Sequence, residues 1–172
     1  MKKQCVLLMA VLFWVFTAPP LMSEGHGKPF VNTVPLYRYW NSTIGDHYYT
    51  TDFNELGNGA NGYQFEGIQG HVYDTQQPGL VPLYKYWNPD WTDHYYTINF
   101  NDLGNGGQGW SLVGVACYVF TQPNPHFGFV PLYRYWSPVW GDHFYTTNFD
   151  ELGNGGQGWS FEQIECYIIP AR

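Results

Sequence analysis

Three near-copies of one unit make up most of this chain, and their opening segments align without a gap over thirty residues. They begin Val34-Pro35-Leu36-Tyr37-Arg38-Tyr39-Trp40, Val81-Pro82-Leu83-Tyr84-Lys85-Tyr86-Trp87 and Val130-Pro131-Leu132-Tyr133-Arg134-Tyr135-Trp136. The starts lie 47 and 49 residues apart, so the two extra residues fall in the connector after the second unit. A repeat of this period is one supersecondary unit that cannot bury its apolar face alone and must pack on its copies. Three copies favour a closed body with pseudo-threefold symmetry over an open solenoid.

Within a unit, the β-branched and aromatic opening run reads as a strand, with Pro second, where a strand start or edge tolerates it. Alternation puts Leu36, Arg38 and Trp40 on one face and Tyr37 and Tyr39 on the other. Asn41 to Gly45 turns the chain, and His47 to Thr51 returns as the second arm of a hairpin. Asp52 to Gly57 then combines a polar cap, an acidic first turn and a glycine stop, which predicts one short helical turn. A third strand is expected from Tyr63, Trp110 and Trp159, and a fourth through Val72-Tyr73, Tyr118-Val119 and Tyr167-Ile168. Four short strands in each of three units predict an all-β fold, the β-trefoil. A propeller needs four or more blades. A three-sheet β-prism shares the symmetry and stands as the alternative. The expected organisation is a signal peptide over 1–23, an N-terminal extension over 24–33 and a three-repeat domain over 34–172, divided 34–80, 81–129 and 130–172.

The signal peptide is read from Lys2-Lys3 followed by a short apolar run, Cys5 to Phe16, too short to span a bilayer. It implies a secreted, extracellular protein without membrane insertion. Without Lys2 and Lys3, five basic residues remain against 14 Asp and Glu, a net charge of −9. That balance, with no basic cluster, excludes nucleic acid as a partner. Aromatic residues make up 20% of the chain and charged residues only 12%, so some rings must reach the surface. Cys117 and Cys166 each follow the Trp of their own unit by seven residues, and Gly70 holds the matching place in unit one. In an oxidising compartment two such thiols are expected to pair, with buried free thiols or an intermolecular bridge as alternatives.

The repeated Pro-Leu-Tyr-Arg-Tyr-Trp, Gly141-Asp142-His143-Phe144-Tyr145-Thr146-Thr147 and Gly-Trp segments resemble a family of secreted repeat modules without an assigned function. The resemblance covers about residues 34–172 and implies a trefoil-like, lectin-like module. Gln108-Gly109-Trp110 and Gln157-Gly158-Trp159 are similar to the Gln-x-Trp of ricin-type lectins, whereas unit one has Asn61-Gly62-Tyr63.

Three candidate chemistries follow from the repeated side chains. The Asp-His pairs Asp46-His47, Asp93-His94 and Asp142-His143 could ligate a metal or tune a base. Adjacent strand residues point to opposite faces, however, so the two side chains of a pair diverge. The histidines are therefore expected to be buried and hydrogen-bonded, and the aspartates, at the turn, to be exposed to ligand. Threefold repetition argues against catalysis, which needs one asymmetric constellation. Asp52 to Gly57 lacks the oxygen donors of a calcium loop, so no metal and no cofactor are expected. The expected ligand set is Trp91, Trp140, Trp40, Trp87 and Trp136 for stacking on sugar rings, with Asp46, Asp93 and Asp142 for their hydroxyls. Asn41-Ser42-Thr43 is a glycosylation sequon on a turn. The function expected is a non-enzymatic carbohydrate-binding protein with up to three weak equivalent sites, whose partners are glycans or glycoproteins. The alternative is a protein-interaction module such as a protease inhibitor or a structural mucus or matrix component.

Overall fold

A computed structural model describes residues 32–171, and the expected signal peptide and most of the N-terminal extension lie outside them. The described chain is all-β and has no α-helix. Unit one contributes β1 (Thr33–Asn41), β2 (Asp46–Thr50) and β3 (Gln64–Tyr73). Unit two contributes β4 (Val81–Asn88), β5 (Asp93–Thr97), the two-residue β6 (Gly106–Gly107) and β7 (Trp110–Val119). Unit three repeats this with β8 (Val130–Ser137), β9 (Asp142–Thr146), β10 (Gly155–Gly156) and β11 (Trp159–Ile168).

In every unit the first strand lies centrally, antiparallel to the short strand on one side and to the ten-residue strand on the other. The expected third and fourth strands are thus one long strand. Two register shifts per long strand explain the difference: β3 skips Glu66 and Gln69 where it pairs with β1, so it bends by β-bulges without breaking. The sequence pattern loses its alternation at those residues and reads as two strands.

The hairpin and the helical turn form as expected. Phe53–Glu55, Phe100–Asp102 and Phe149–Glu151 are single 3₁₀ turns capped by Asp52, Asn99 and Asn148. Gly57, Gly104 and Gly153 follow with φ of +56°, a conformation that favours glycine. These turns cover the outer face of each sheet. Tyr39, Tyr86 and Tyr135 donate their hydroxyls to the carbonyls of Gly57, Gly104 and Gly153 at 2.8–2.9 Å.

The inner faces share one core, built from sets of equivalent residues: Leu36, Leu83 and Leu132; Tyr49, Tyr96 and Tyr145; Val72, Val119 and Ile168; and Cys117 with Cys166. Closure is cyclic. Tyr73 pairs with Tyr118, Phe120 with Tyr167 and Ile169 with His71, so the ends of the three long strands join pairwise around the axis.

Cys117 and Cys166 are buried free thiols, not the expected disulfide. Each packs among core Leu, Val and Ile side chains, and burial pushes both thiols upward, Cys117 to about 12. At Gly70 a side chain would run into the Ile169 carbonyl and the Ile168 side chain, which explains why unit one has no third cysteine.

Candidate functional site

The short strands β2, β5 and β9 are edge strands whose free edges converge on the threefold axis. Side chains of the neighbouring unit, not another strand, satisfy those edges. Tyr96 Oη accepts from the Tyr49 N–H at 2.9 Å and donates to the Tyr49 carbonyl at 2.9 Å. Tyr145 does the same for Tyr96, and Tyr49 for Tyr145. The ring closes after three steps.

Two residues earlier, the aspartates and histidines make a second ring. The backbone N–H groups of His47, His94 and His143 donate to Oδ1 of Asp142, Asp46 and Asp93 at 2.8–3.0 Å. The Nδ1 atoms of the same histidines lie 2.6–2.8 Å from Oδ2 of the same aspartates. Side chains that diverge within a unit therefore meet between units. The histidines are largely buried and hydrogen-bonded, as expected. The aspartates are not exposed: all three are 0% accessible, because each, at the start of its short strand, is covered by the histidine of a neighbouring unit, although the turn residues before it reach solvent. They are unavailable to sugar hydroxyls at the surface.

One oxygen from each of Asp46, Asp93 and Asp142 falls within 4.8 Å of the others, a hard-oxygen donor set. Each carboxylate already accepts an N–H and faces an imidazole, so the trio is accounted for as a joint between units. Burial and the facing Asp93 carboxylate push Asp142 well above the usual carboxylate range. Burial and the nearby Arg38 cation hold His47 well below its own.

The other edge of each imidazole looks outward into a cleft between two units. The cleft between units three and one is lined by Arg38, His47 and Glu66 of unit one and by Phe144, Glu151 and Trp159 of unit three. Its counterpart between units two and three is lined by Arg134, His143 and Glu162 facing Tyr95, Asp102 and Trp110. Between units one and two, Tyr48, Glu55, Tyr63 and His94 line the third. Volumes of about 290, 190 and 220 Å³ suit one small ring in each.

Arg38 bonds both oxygens of Glu151 at 3.2–3.3 Å, and its Nε lies 2.9 Å from Glu66 Oε2, close enough for an ion pair but poorly aligned for a hydrogen bond. Arg134 holds Glu162 at 2.7 Å, Glu165 at 2.6 Å and Tyr95 Oη at 2.8 Å. Lys85 bonds Tyr48 Oη at 2.9 Å, and Tyr48 in turn donates to Glu55 at 2.6 Å.

Sequence reasoning passed over these cations and acids, although a signal was present. Of the five Lys and Arg after position 23, three occupy one position of the repeat. The Gln-x-Trp segments prove to be tight two-residue turns: Gln108 and Gln157 have φ of 54° and 53°, followed by Gly at 88° and 87°. A glutamine held in the left-handed region is unusual, and Gln157 lines the cleft beside Trp159.

The expected tryptophans divide into two groups. Trp91 and Trp140 are 49% exposed at the hairpin tips. Trp40, Trp87 and Trp136 are partly buried and stack on His47, His94 and His143 with centroids 4.4–4.7 Å apart. Asn41 corrects another expectation: it is 4% accessible, and its Nδ2 donates to the Asn61 carbonyl at 3.3 Å. The nitrogen that would carry a glycan is packed into the fold, because the turn needs the Asn41 amide as its own scaffold.

A family model described as Domain of unknown function (DUF5648) matches residues 20–120 and again 103–169. The chain belongs to that family, and the double match agrees with a repeated module. No curated protein and no solved structure matches the chain.

Proposed function

We propose that this member of the family is a secreted carbohydrate-binding protein without catalytic activity, whose sites are the clefts between units. One observation carries the reading. Trp159 and Trp110 each line a cleft that also holds an arginine, two acids and an imidazole. A ring for the apolar face of a pyranose, beside donors and acceptors for its hydroxyls, is what such a ligand requires. Repetition of the arrangement supports weak sites whose combined avidity does the work. It speaks against an enzyme, which needs one complete asymmetric constellation.

Of the two architectures expected, we favour the β-prism. Strands pair along their length only within a unit, three in unit one and four in each of the others, and single bridges join the units, whereas a trefoil barrel would pair strands of neighbouring units along their length.

A glycan array probed with the chain, with and without calcium, tests the function. Selective binding that disappears in the Trp110→Ala, Trp159→Ala double variant supports it, and a blank array refutes it. A protein partner is the second reading. It is favoured by Ile44, Trp91, Val139 and Trp140, which stand exposed on the three hairpin tips, Trp91 also lining the two–three cleft.

A further inference from the structure

We infer that Glu66 and Glu162 make the three–one and two–three clefts selective for an uncharged sugar ring carrying hydroxyl donors, and that the one–two cleft has lost this capacity. The inference rests on the carbohydrate-binding reading and names its ligand class.

The starting point is the bulge nearest the middle of each long strand. Arg38 pairs with Gly67 and Tyr39 with Phe65, which leaves Glu66 unpaired. The same skip leaves Glu162 between the partners of Arg134 and Tyr135, and Val113 between those of Lys85 and Tyr86. Regular alternation would send residue 66 to the face opposite its neighbour at 67. The bulge turns it back toward Arg38, as the 2.9 Å ion pair records. A backbone irregularity repeated three times thus aims Glu66 and Glu162 at their clefts and leaves Val113 at the matching place of unit two.

Glu66 and Glu162 are held alike. Oε2 of each contacts the arginine Nε, at 2.9 and 2.7 Å, and sits 3.6 and 3.9 Å from the imidazole Nε2 of His47 and His143. Oε1 of each has no hydrogen bond among the described residues, and the side chains keep 30% and 32% of their accessibility. An anchored carboxylate with one open oxygen is a fixed acceptor for a ligand hydroxyl.

Charge decides which ligands are rejected. In the three–one cleft one cation, Arg38, faces two acids, Glu66 and Glu151. In the two–three cleft Arg134 faces Asp102 and Glu162. A uronic, sialic or sulfated ring would bring its anion against Glu66 and Glu151, both paired with Arg38, or against Glu162, paired with Arg134, and the neighbouring Asp102. A neutral ring meets no such repulsion.

The one–two cleft differs at both determinants. Val113 stands at the bulge and offers no acceptor. Tyr63, which replaces tryptophan there, donates its hydroxyl to Asp46 Oδ2, so its ring is tied to the axis.

Calorimetric titration tests this with methyl glycosides of glucose, galactose, mannose and N-acetylglucosamine, beside methyl glucuronoside and galacturonoside. The expected result is two sites per chain for at least one neutral glycoside, with its uronate at least about tenfold weaker. Glu66→Gln and Glu162→Gln should each weaken one site about tenfold, and together they should narrow the gap between neutral and acidic rings. Val113→Glu combined with Tyr63→Trp, which restores both determinants, should add a third site, and Val113 is half-exposed, with room for the longer side chain. Uronates that bind as well as neutral glycosides, or glutamine variants with unchanged binding and unchanged melting, would overturn the inference and leave the lectin reading standing. Failure of every glycoside and every array glycan to bind would overturn both.

Discussion

Replacing Tyr96 with phenylalanine removes one oxygen and nothing else, and the structure specifies what that oxygen holds. Its hydroxyl is the partner of both the N–H and the carbonyl of Tyr49, each at 2.9 Å, in a core where Tyr49 and Tyr96 are almost fully buried. Those two backbone groups lie on the free edge of β2 and point away from β1, so no strand can take over. Phenylalanine keeps the ring contacts, 5.3 Å to Tyr49 and 5.5 Å to Tyr145, so the packing term changes little. Each buried backbone group left without a partner costs about 1–3 kcal/mol, and two of them give about 2–6 kcal/mol. For a domain of this size that lowers the melting midpoint by about 5–15 °C. Differential scanning calorimetry measures it directly. The control is Tyr84→Phe, whose hydroxyl has no hydrogen bond among the described residues and which should stay within about 0.5 kcal/mol of the parent. By symmetry Tyr49→Phe and Tyr145→Phe should match Tyr96→Phe. If Tyr96→Phe melts with the control, the hydroxyl ring does not join the units and the account of the axis fails.

Two further outcomes follow from the axis and the core. Because Asp142 is raised and His47 lowered, the folded pair keeps one proton where the unfolded chain, with reference values near 6.5 and 3.9, exchanges two. Its contribution to stability should be flat from about pH 4 to 6.5 and fall on both sides, and urea midpoints that rise steadily from pH 5 to 8 would contradict it. The Cys117 and Cys166 thiols, buried and pushed upward, should resist iodoacetamide in the native protein and react fully after unfolding without reductant. Non-reducing peptide mapping that recovers a Cys117–Cys166 disulfide would show this part of the core to be wrong.

The repeat made the symmetry, the first hairpin and the capped turn legible, because each depends on neighbours within a few residues: Pro35 opening a strand, Asp52 capping a turn, Gly57 ending it. What stayed hidden depends on partners in another unit or on a broken period. The Asp-His pairs are the clearest case. Alternation correctly separated Asp46 from His47, but Asp46 belongs to His94, 48 residues on, and no local pattern records that. Glu66 and Glu162 were missed for the second reason, since a bulge reverses the face that alternation assigns. Asn41 satisfies the sequon and still fails as an acceptor, because its amide is consumed by Thr43 and Asn61.

Placing the candidate sites at the seams has a consequence for how such a protein can change. The axis tolerates little variation: the Tyr and Asp–His rings use one residue from each unit in turn, and loss of one member leaves polar groups in the neighbouring unit unpartnered. The clefts are different. The three–one and two–three clefts are each built from an acid and aromatics of one unit and the cation, imidazole and bulge glutamate of the next, and of these groups the imidazole also serves the axis. Val113 could therefore replace a glutamate, Lys85 an arginine and Tyr63 a tryptophan in one cleft while the Leu, Tyr and Val/Ile core sets stayed intact. A repeat protein of this kind can retire or retune one site at a time, and the unlike clefts are where specificity differences should be sought.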